Sequence, residues 1–449
     1  MVRHILIRNA RIVNEGSVYT GCVVLKDRRI ARIFRGHKAE EEAAACCGSF
    51  DIDIDATGKI MIPGIIDDQV HFREPGLTRK GTMIQESRAA LLGGVTSVMD
   101  MPNNLPPIIT AASLEEKYIL ARDKMYVNYA FYLGATNTNT HEVLKPVKQS
   151  CGLKIFMGSS TGNMLTDDPG VLNTLFGKYK GLIATHCEDE SLIRDNLDKA
   201  KTCYGDQIPV MLHTSIRSRE ACIASTRKAV DLALKYRSRL HILHISTKEE
   251  IELIGKASLV NPGITCEASL PHIWFTQQDY ARFGTQIKCN PSVKTAEDRE
   301  AILEAIEKRN IQTIGSDHAP HTWEEKQQNY LAAPSGIPLI QHTCQMLMDL
   351  VRQESLSITS VVDACCHQPA RLFGIKDRGF IREGYYADLV LIDPAKGQLV
   401  TKSQLEYACK WSPVEGHQFS SSVSHVFING TLAAENGQII LKPPTLPIL

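Results

Sequence analysis

Two patterns of apolar and polar positions divide this chain. At both ends, short runs alternate or run apolar at strand length. His4–Arg8, Arg11–Val13, Gly21–Lys26 and Ile30–Phe34 open it, with Asn14-Glu15-Gly16 and Lys26-Asp27-Arg28 as turns. Ala387–Ile392, Val423–Ile428 and Gln438–Leu441 close it, separated by Asn429-Gly430 and Asn436-Gly437. Neither end has enough strands for a stable sheet of its own, so the two are expected to build one small β domain together.

In the middle, apolar runs alternate with helical stretches, the pattern of βα units around a parallel sheet. Eight runs stand out: Gly64–Phe72, Val95–Met101, Val127–Gly134, Leu153–Gly158, Leu182–Cys187, Leu240–Ser246, Ile264–Ser269 and Ile311–Ser316. Gln85–Leu92 reads as a helix that stops on Gly93-Gly94. The expected architecture is α/β, a (β/α)8 TIM barrel over residues 61–369, with a β-sandwich domain composed of 1–60 and 370–449. A doubly wound open sheet competes with it. No Gly-x-Gly-x-x-Gly follows a first strand, which weakens the nucleotide-binding form of that alternative.

Composition narrows the class. The 449 residues carry 50 basic and 50 acidic side chains, 43% hydrophobic and 22% charged, as in an ordinary globular protein. Zero formal charge argues against broad binding to nucleic acid or acidic lipid. No apolar run approaches the ~18 residues of a membrane span, and the start lacks a secretory pattern. The 13 cysteines, including the vicinal pairs Cys46-Cys47 and Cys365-Cys366, read as reduced thiols of a cytoplasmic protein.

Barrel chemistry gathers at the C-terminal ends of strands. The polar residues there are Gln69, His71 and Arg73, then Asn103, Lys154, His186, His244, and Asp317 with His321. Alternation points Gln69, His71 and Arg73 into one mouth. By the same rule His241 and His244, three apart, point opposite ways, so only one faces inside. Three histidines and an aspartate from separate strands suit zinc or a similar ion. Lys154 lies within the apolar run Leu153-Lys154-Ile155-Phe156, where burial lowers its pKa. A neutral amine there can add CO2 and become a two-oxygen carbamate ligand; a salt bridge to Asp317 is the competing role. Asp317 can ligate metal or act as general base toward a metal-activated water. Arg73 offers a fork for a substrate carboxylate, against a surface ion pair with Glu74. His321–Gly336, polar and rich in Pro and Gly, is expected to act as a lid.

These residues resemble a known family. Pro63-Gly64-Ile65-Ile66-Asp67-Asp68-Gln69-Val70-His71-Phe72-Arg73-Glu74-Pro75-Gly76 is similar to the opening signature of class I-like dihydroorotases of the amidohydrolase superfamily. Asp100-Met101-Pro102-Asn103, Thr185-His186-Cys187-Glu188-Asp189, Leu243-His244-Ile245-Ser246-Thr247 and Ser316-Asp317-His318-Ala319-Pro320-His321 resemble its later motifs in order, and Asn290-Pro291-Ser292-Val293-Lys294 a looser one. Gly379–Asp393 resembles the returning β domain of cyclic amidohydrolases.

The resemblance implies interconversion of N-carbamoyl-L-aspartate and L-dihydroorotate in pyrimidine synthesis. It implies one or two Zn2+ held by His71, His186, His244 and Asp317, and a carbamate on Lys154 bridging them. Arg73, Asn103 and His321 would hold the substrate carboxylate and Asn290 the ring, with Asp317 as acid/base. The family pattern is His-x-His where this chain has Gln69-Val70-His71. A glutamine amide oxygen is a weaker zinc ligand than imidazole, so the ion on the His71 side is expected to bind less tightly. Two other readings are a hydantoinase- or allantoinase-like hydrolase of a cyclic ureide, and a non-catalytic scaffold for aspartate transcarbamoylase. A homodimer is expected by analogy with similar barrels.

Overall fold

A computed structural model describes residues 4–46, 49–158 and 164–449. The eight apolar runs become eight strands: β1 (Ile65–Val70), β2 (Val95–Asp100), β3 (Asn128–Gly134), β4 (Ser150–Phe156), β5 (Leu182–His186), β6 (Arg239–Ile242), β7 (Ile264–Ser269) and β8 (Thr313–Gly315). Each pairs in parallel with its neighbour in sequence. The ring closes just beyond β8, where Val70 bridges His318 and the His71 N–H donates to the His318 carbonyl at 2.8 Å. The result is the (β/α)8 barrel. Its strands read as nearly continuous apolar runs because helices cover the outside and side chains fill the inside.

The first barrel helix shows how local chemistry sets its bounds. It spans Met83–Leu92, and Thr82 caps it by accepting from the Gln85 N–H. The stop on Gly93-Gly94 is steric as well as conformational. A Cβ on Gly93 would lie 2.1 Å from the Ile340 carbonyl oxygen, and Gly94 sits at φ +76°.

Both chain ends meet in one nine-stranded sheet. The seam is Leu389–Asp393, antiparallel to Ile60–Pro63. Asn429-Gly430 and Asn436-Gly437 have positive φ at both residues, as a tight hairpin turn needs. His4–Arg8 and Arg11–Val13 are one strand, His4–Asn14, whose register shifts between Ile7 and Ala10 with Asn9 at φ 61°. The bulge breaks the alternation and made one strand look like two. Ile5, Ile7, Val23, Leu25, Met61, Leu389 and Leu391 share one core there. No disulfide links the described cysteines, and Cys47 lies outside the described residues. Among the described residues no helix is long and apolar enough to cross a membrane.

Candidate active site

The strand ends converge on one narrow cavity of about 20 Å3, lined by Gln69, His71, Arg73, Asn103, Lys154, His186, His244, Asn290 and Asp317, with Phe156, Cys289, Ser335 and Gly336 among the rest of its wall. Nine of the ten residues singled out in the sequence are therefore together. His321 is set behind the wall: its Nε2 lies 3.1 Å from Arg73 Nη2 and 3.0 Å from the Ser335 carbonyl oxygen. It packs behind Arg73 rather than facing the cavity.

Strict alternation does not produce this arrangement. The pairing of β1 with β2 shifts between Asp67 and Val70. Ile66 belongs to the barrel interior with Tyr132 and Ala184, and Asp68 faces His241 inside, yet Gln69 and His71 line the mouth. The bulge switches the inward phase by one residue. A second irregularity follows β6. His244 has φ 39° and donates its N–H to Glu267 Oε1 at 3.1 Å. That left-handed residue turns its ring into the mouth, while His241, inside strand β6, faces the barrel floor. Both histidines point inside, contrary to the expectation for a three-residue spacing. Arg73 (φ 66°) and Asp317 (φ 47°) adopt the same strained conformation just past strand ends. Each costs about 1 kcal/mol or more, held by the surrounding packing.

Two of the histidines face each other across the cavity. His186 Nε2 lies 3.0 Å from Glu188 Oε2, which is also paired with Arg217. Nε2 therefore carries the proton, and Nδ1 presents its lone pair toward His244 Nε2, 3.0 Å away. Two nitrogens bonded to one tetrahedral ion at ~2.0–2.1 Å stand roughly 3.3 Å apart, close to this separation. Burial lowers the pKa of both rings, most strongly for His244, which keeps them neutral. Burial pushes the Glu188 pKa up, but Arg217 and His186 outweigh it and bring it to about 2, so the carboxylate stays charged.

Glu188 lies in the motif Thr185-His186-Cys187-Glu188-Asp189, where the sequence alone assigns it no role. The available signal was a carboxylate two residues beyond a strand-end histidine, the spacing that orients an imidazole from behind. Glu188→Gln is expected to weaken the hold of His186 on any divalent ion roughly 10–100-fold without loss of the fold; competition with a chelator of known affinity measures it.

On the opposite wall, Asp317 Oδ1 accepts from Gln69 Nε2 at 3.0 Å and lies 3.3 Å from His71 Nε2. His71 Nδ1 faces Asn103 Oδ1 at 2.7 Å. Lys154 is buried, its Nζ has no hydrogen-bond partner, and it lies 4.6 Å from the centre of the Phe156 ring. No ion pair joins it to Asp317 at bonding distance. Burial lowers its pKa to about 7, against the opposing pull of Asp317 and Glu267.

Arg73 is 2% exposed, donates through Nε to the Pro320 carbonyl at 3.0 Å and leaves Nη1 without a partner. Burial lowers its pKa to about 10, still a cation at neutral pH. Asn290 Oδ1 is likewise buried and unpartnered. Unpaired polar atoms aimed at one cavity mark where a polar ligand belongs.

The segment after β8 is fastened from within. Lys326 is buried and donates through Nζ to the carbonyls of Lys288, Pro334 and Gly336 at 3.1, 2.9 and 3.0 Å. The Gly336 carbonyl ties the rim of the cavity to this knot.

A family model described as "Amidohydrolase family" matches residues 60–433. A dihydroorotase from Methanosarcina mazei is 32% identical over 425 residues, 91% of this chain and 90% of that protein. One from Halobacterium salinarum is 31% identical over 395 residues, 88% of this chain and 91% of its own length. Among solved structures, an L-hydantoinase (dihydropyrimidinase) from Arthrobacter aurescens superposes with a TM-score of 0.91 at 26% identity, covering 98% of both chains. A dihydropyrimidinase from Brevibacillus agri shares the fold, with a TM-score of 0.88 at 23% identity over 99% of this chain and 98% of that one.

Proposed function

This chain belongs to the amidohydrolase family, and on that premise we propose that it catalyses the reversible interconversion of N-carbamoyl-L-aspartate and L-dihydroorotate. The observation that carries this reading is Arg73, a buried guanidinium with a free arm on the wall of a cavity that also holds facing histidines. A carboxylate-bearing cyclic amide complements such a wall; a neutral ring leaves the arm unpaired.

The donor set fits a zinc ion. His186 and His244 offer facing nitrogens, and Lys154 offers a neutral, unpartnered amine on the same cavity. His186, His244 and a carbamate on Lys154 would hold the ion, and His71 with Asp317 a second one. Bound there, zinc supplies a water of pKa near ~7 and polarises the ring carbonyl.

The chain's own residues do the rest. Above a pH of about 7 the Lys154 amine is neutral and adds CO2, releasing one proton. The Arg73 arm receives the substrate carboxylate, with Asn290 beside the ring. Asp317, held by Gln69 through Oδ1, takes the proton of the attacking water and returns it to the ring nitrogen as the amide C–N bond breaks. In the reverse direction the same carboxylate collects that proton from the ureido nitrogen.

The test is direct: purified protein supplied with zinc and bicarbonate should open L-dihydroorotate and close N-carbamoyl-L-aspartate. No turnover in either direction overturns the assignment. The structural likeness to hydantoinases keeps a cyclic-ureide hydrolase as the second reading, and turnover of neutral hydantoins but not of L-dihydroorotate would select it.

A further inference from the structure

Beneath the mouth lies a second buried cluster that the reaction does not use. Asp68, His241 and Glu267 each point a ligating atom into the barrel floor, all within 4.8 Å of one another, and each residue is fully buried. Hydrogen bonding places one proton of the imidazole. Thr265 Oγ1 donates to the Leu240 carbonyl at 3.2 Å, so it accepts from His241 Nδ1–H at 2.9 Å. His241 Nε2 faces the cluster, 3.4 Å from Asp68 Oδ2 and 3.3 Å from Thr313 Oγ1.

The oxygens opposite are just as exposed to one another. With both acids charged, the two carboxylate oxygens of Asp68 and Oε2 of Glu267 find no donor, and only a proton on Glu267 joins it to Asp68, while Glu267 Oε1 is taken by the His244 N–H. Gly315 leaves this space open: a Cβ there would come 2.8 Å from Glu267 Oε2 and 3.3 Å from Asp68 Oδ1.

We propose that Asp68, Glu267 and His241 form a second, structural metal site in the floor of the barrel, taking a first-row divalent cation such as Zn2+. One imidazole nitrogen, two carboxylates and the hydroxyl of Thr313 are a donor set for a borderline ion. Such an ion neutralises buried acids that otherwise carry a large desolvation cost. It also anchors Glu267, whose other oxygen holds the left-handed backbone of His244. The floor ion therefore sets the geometry of the mouth without touching substrate.

The experiment uses the intact protein equilibrated with Zn2+ and freed of excess by gel filtration. Zinc per chain is counted, and wild-type crystals are measured on both sides of the zinc absorption edge. The expected result is an anomalous peak bounded by Asp68, Glu267 and His241, distinct from any peak between His186 and His244. Asp68→Asn should lower the count by one ion per chain and remove the floor peak alone; His186→Ala should leave that peak in place. Wild-type crystals with zinc at the mouth and none at the floor overturn the proposal, as does an unchanged count in a folded Asp68→Asn variant. If that variant does not fold, the wild-type anomalous map decides alone. A floor peak without a mouth peak supports the floor site and contradicts the zinc site proposed for catalysis.

Discussion

Replacing Lys154 with Met is expected to lower kcat for L-dihydroorotate by roughly a thousandfold or more, beyond the ~10–100-fold typical of residues that only orient a metal ligand. The amine is the atom on which the proposed carbamate would be built, and it has no hydrogen-bond partner. A structural role for Lys154 predicts the opposite. Removing a buried, unpartnered amine should leave melting unchanged or raise it. Lost activity with retained stability therefore separates the two roles. Partial rescue of Lys154→Ala by added short carboxylic acids would place a missing carboxylate at this point. The dependence on pH has a definite sign. Burial holds the amine near a pKa of about 7, well below a free lysine. Reactivation of stripped enzyme by zinc and bicarbonate should be slow below that value, where the ammonium cannot attack CO2, and should quicken as pH rises through it.

Arg73→Met is expected to reduce kcat/KM for L-dihydroorotate by about 10²–10³-fold while sparing a neutral hydantoin within a few-fold. The loss corresponds to about 2.7–4 kcal/mol, the size of one to two charge-assisted hydrogen bonds at ~1.5–3 kcal/mol each. The free enzyme should not suffer. Arg73 is buried, one arm is unsatisfied, and its pKa is already pushed down to about 10, all signs of a cation placed for a ligand rather than for the fold. Thermal melting of the variant should match or exceed wild type. Equal losses on charged and neutral substrates would show that Arg73 shapes the site without reading the carboxylate.

What the sequence revealed and what it concealed have physical causes. The eight barrel strands were legible because both faces of each are buried, which leaves long apolar runs with polar residues at their ends. Lys154 stood out for the same reason, as a charge inside such a run. The floor cluster was hidden because strict alternation assigns Asp68 and Gln69 to opposite faces. The bulge in β1 and the left-handed turn at His244 put both neighbours, and both His241 and His244, inside. His321 was expected on the wall and stands behind Arg73, since only the path of the chain after β8 decides which of the two is nearer the cavity. In the β domain, Ile52–Asp55, Ile60–Pro63 and Thr431–Glu435 carry no legible strand pattern in the sequence. Each is four or five residues long, too short for a periodic signal, and gains its strand state from neighbours distant in sequence.

The most direct test of the mouth site is ¹³C NMR of enzyme loaded with zinc in ¹³C-labelled bicarbonate. One protein-bound carbamate carbon per chain is predicted, present in wild type and absent from Lys154→Met and from metal-stripped protein. Fully active wild-type enzyme with no bound ¹³C would contradict the account.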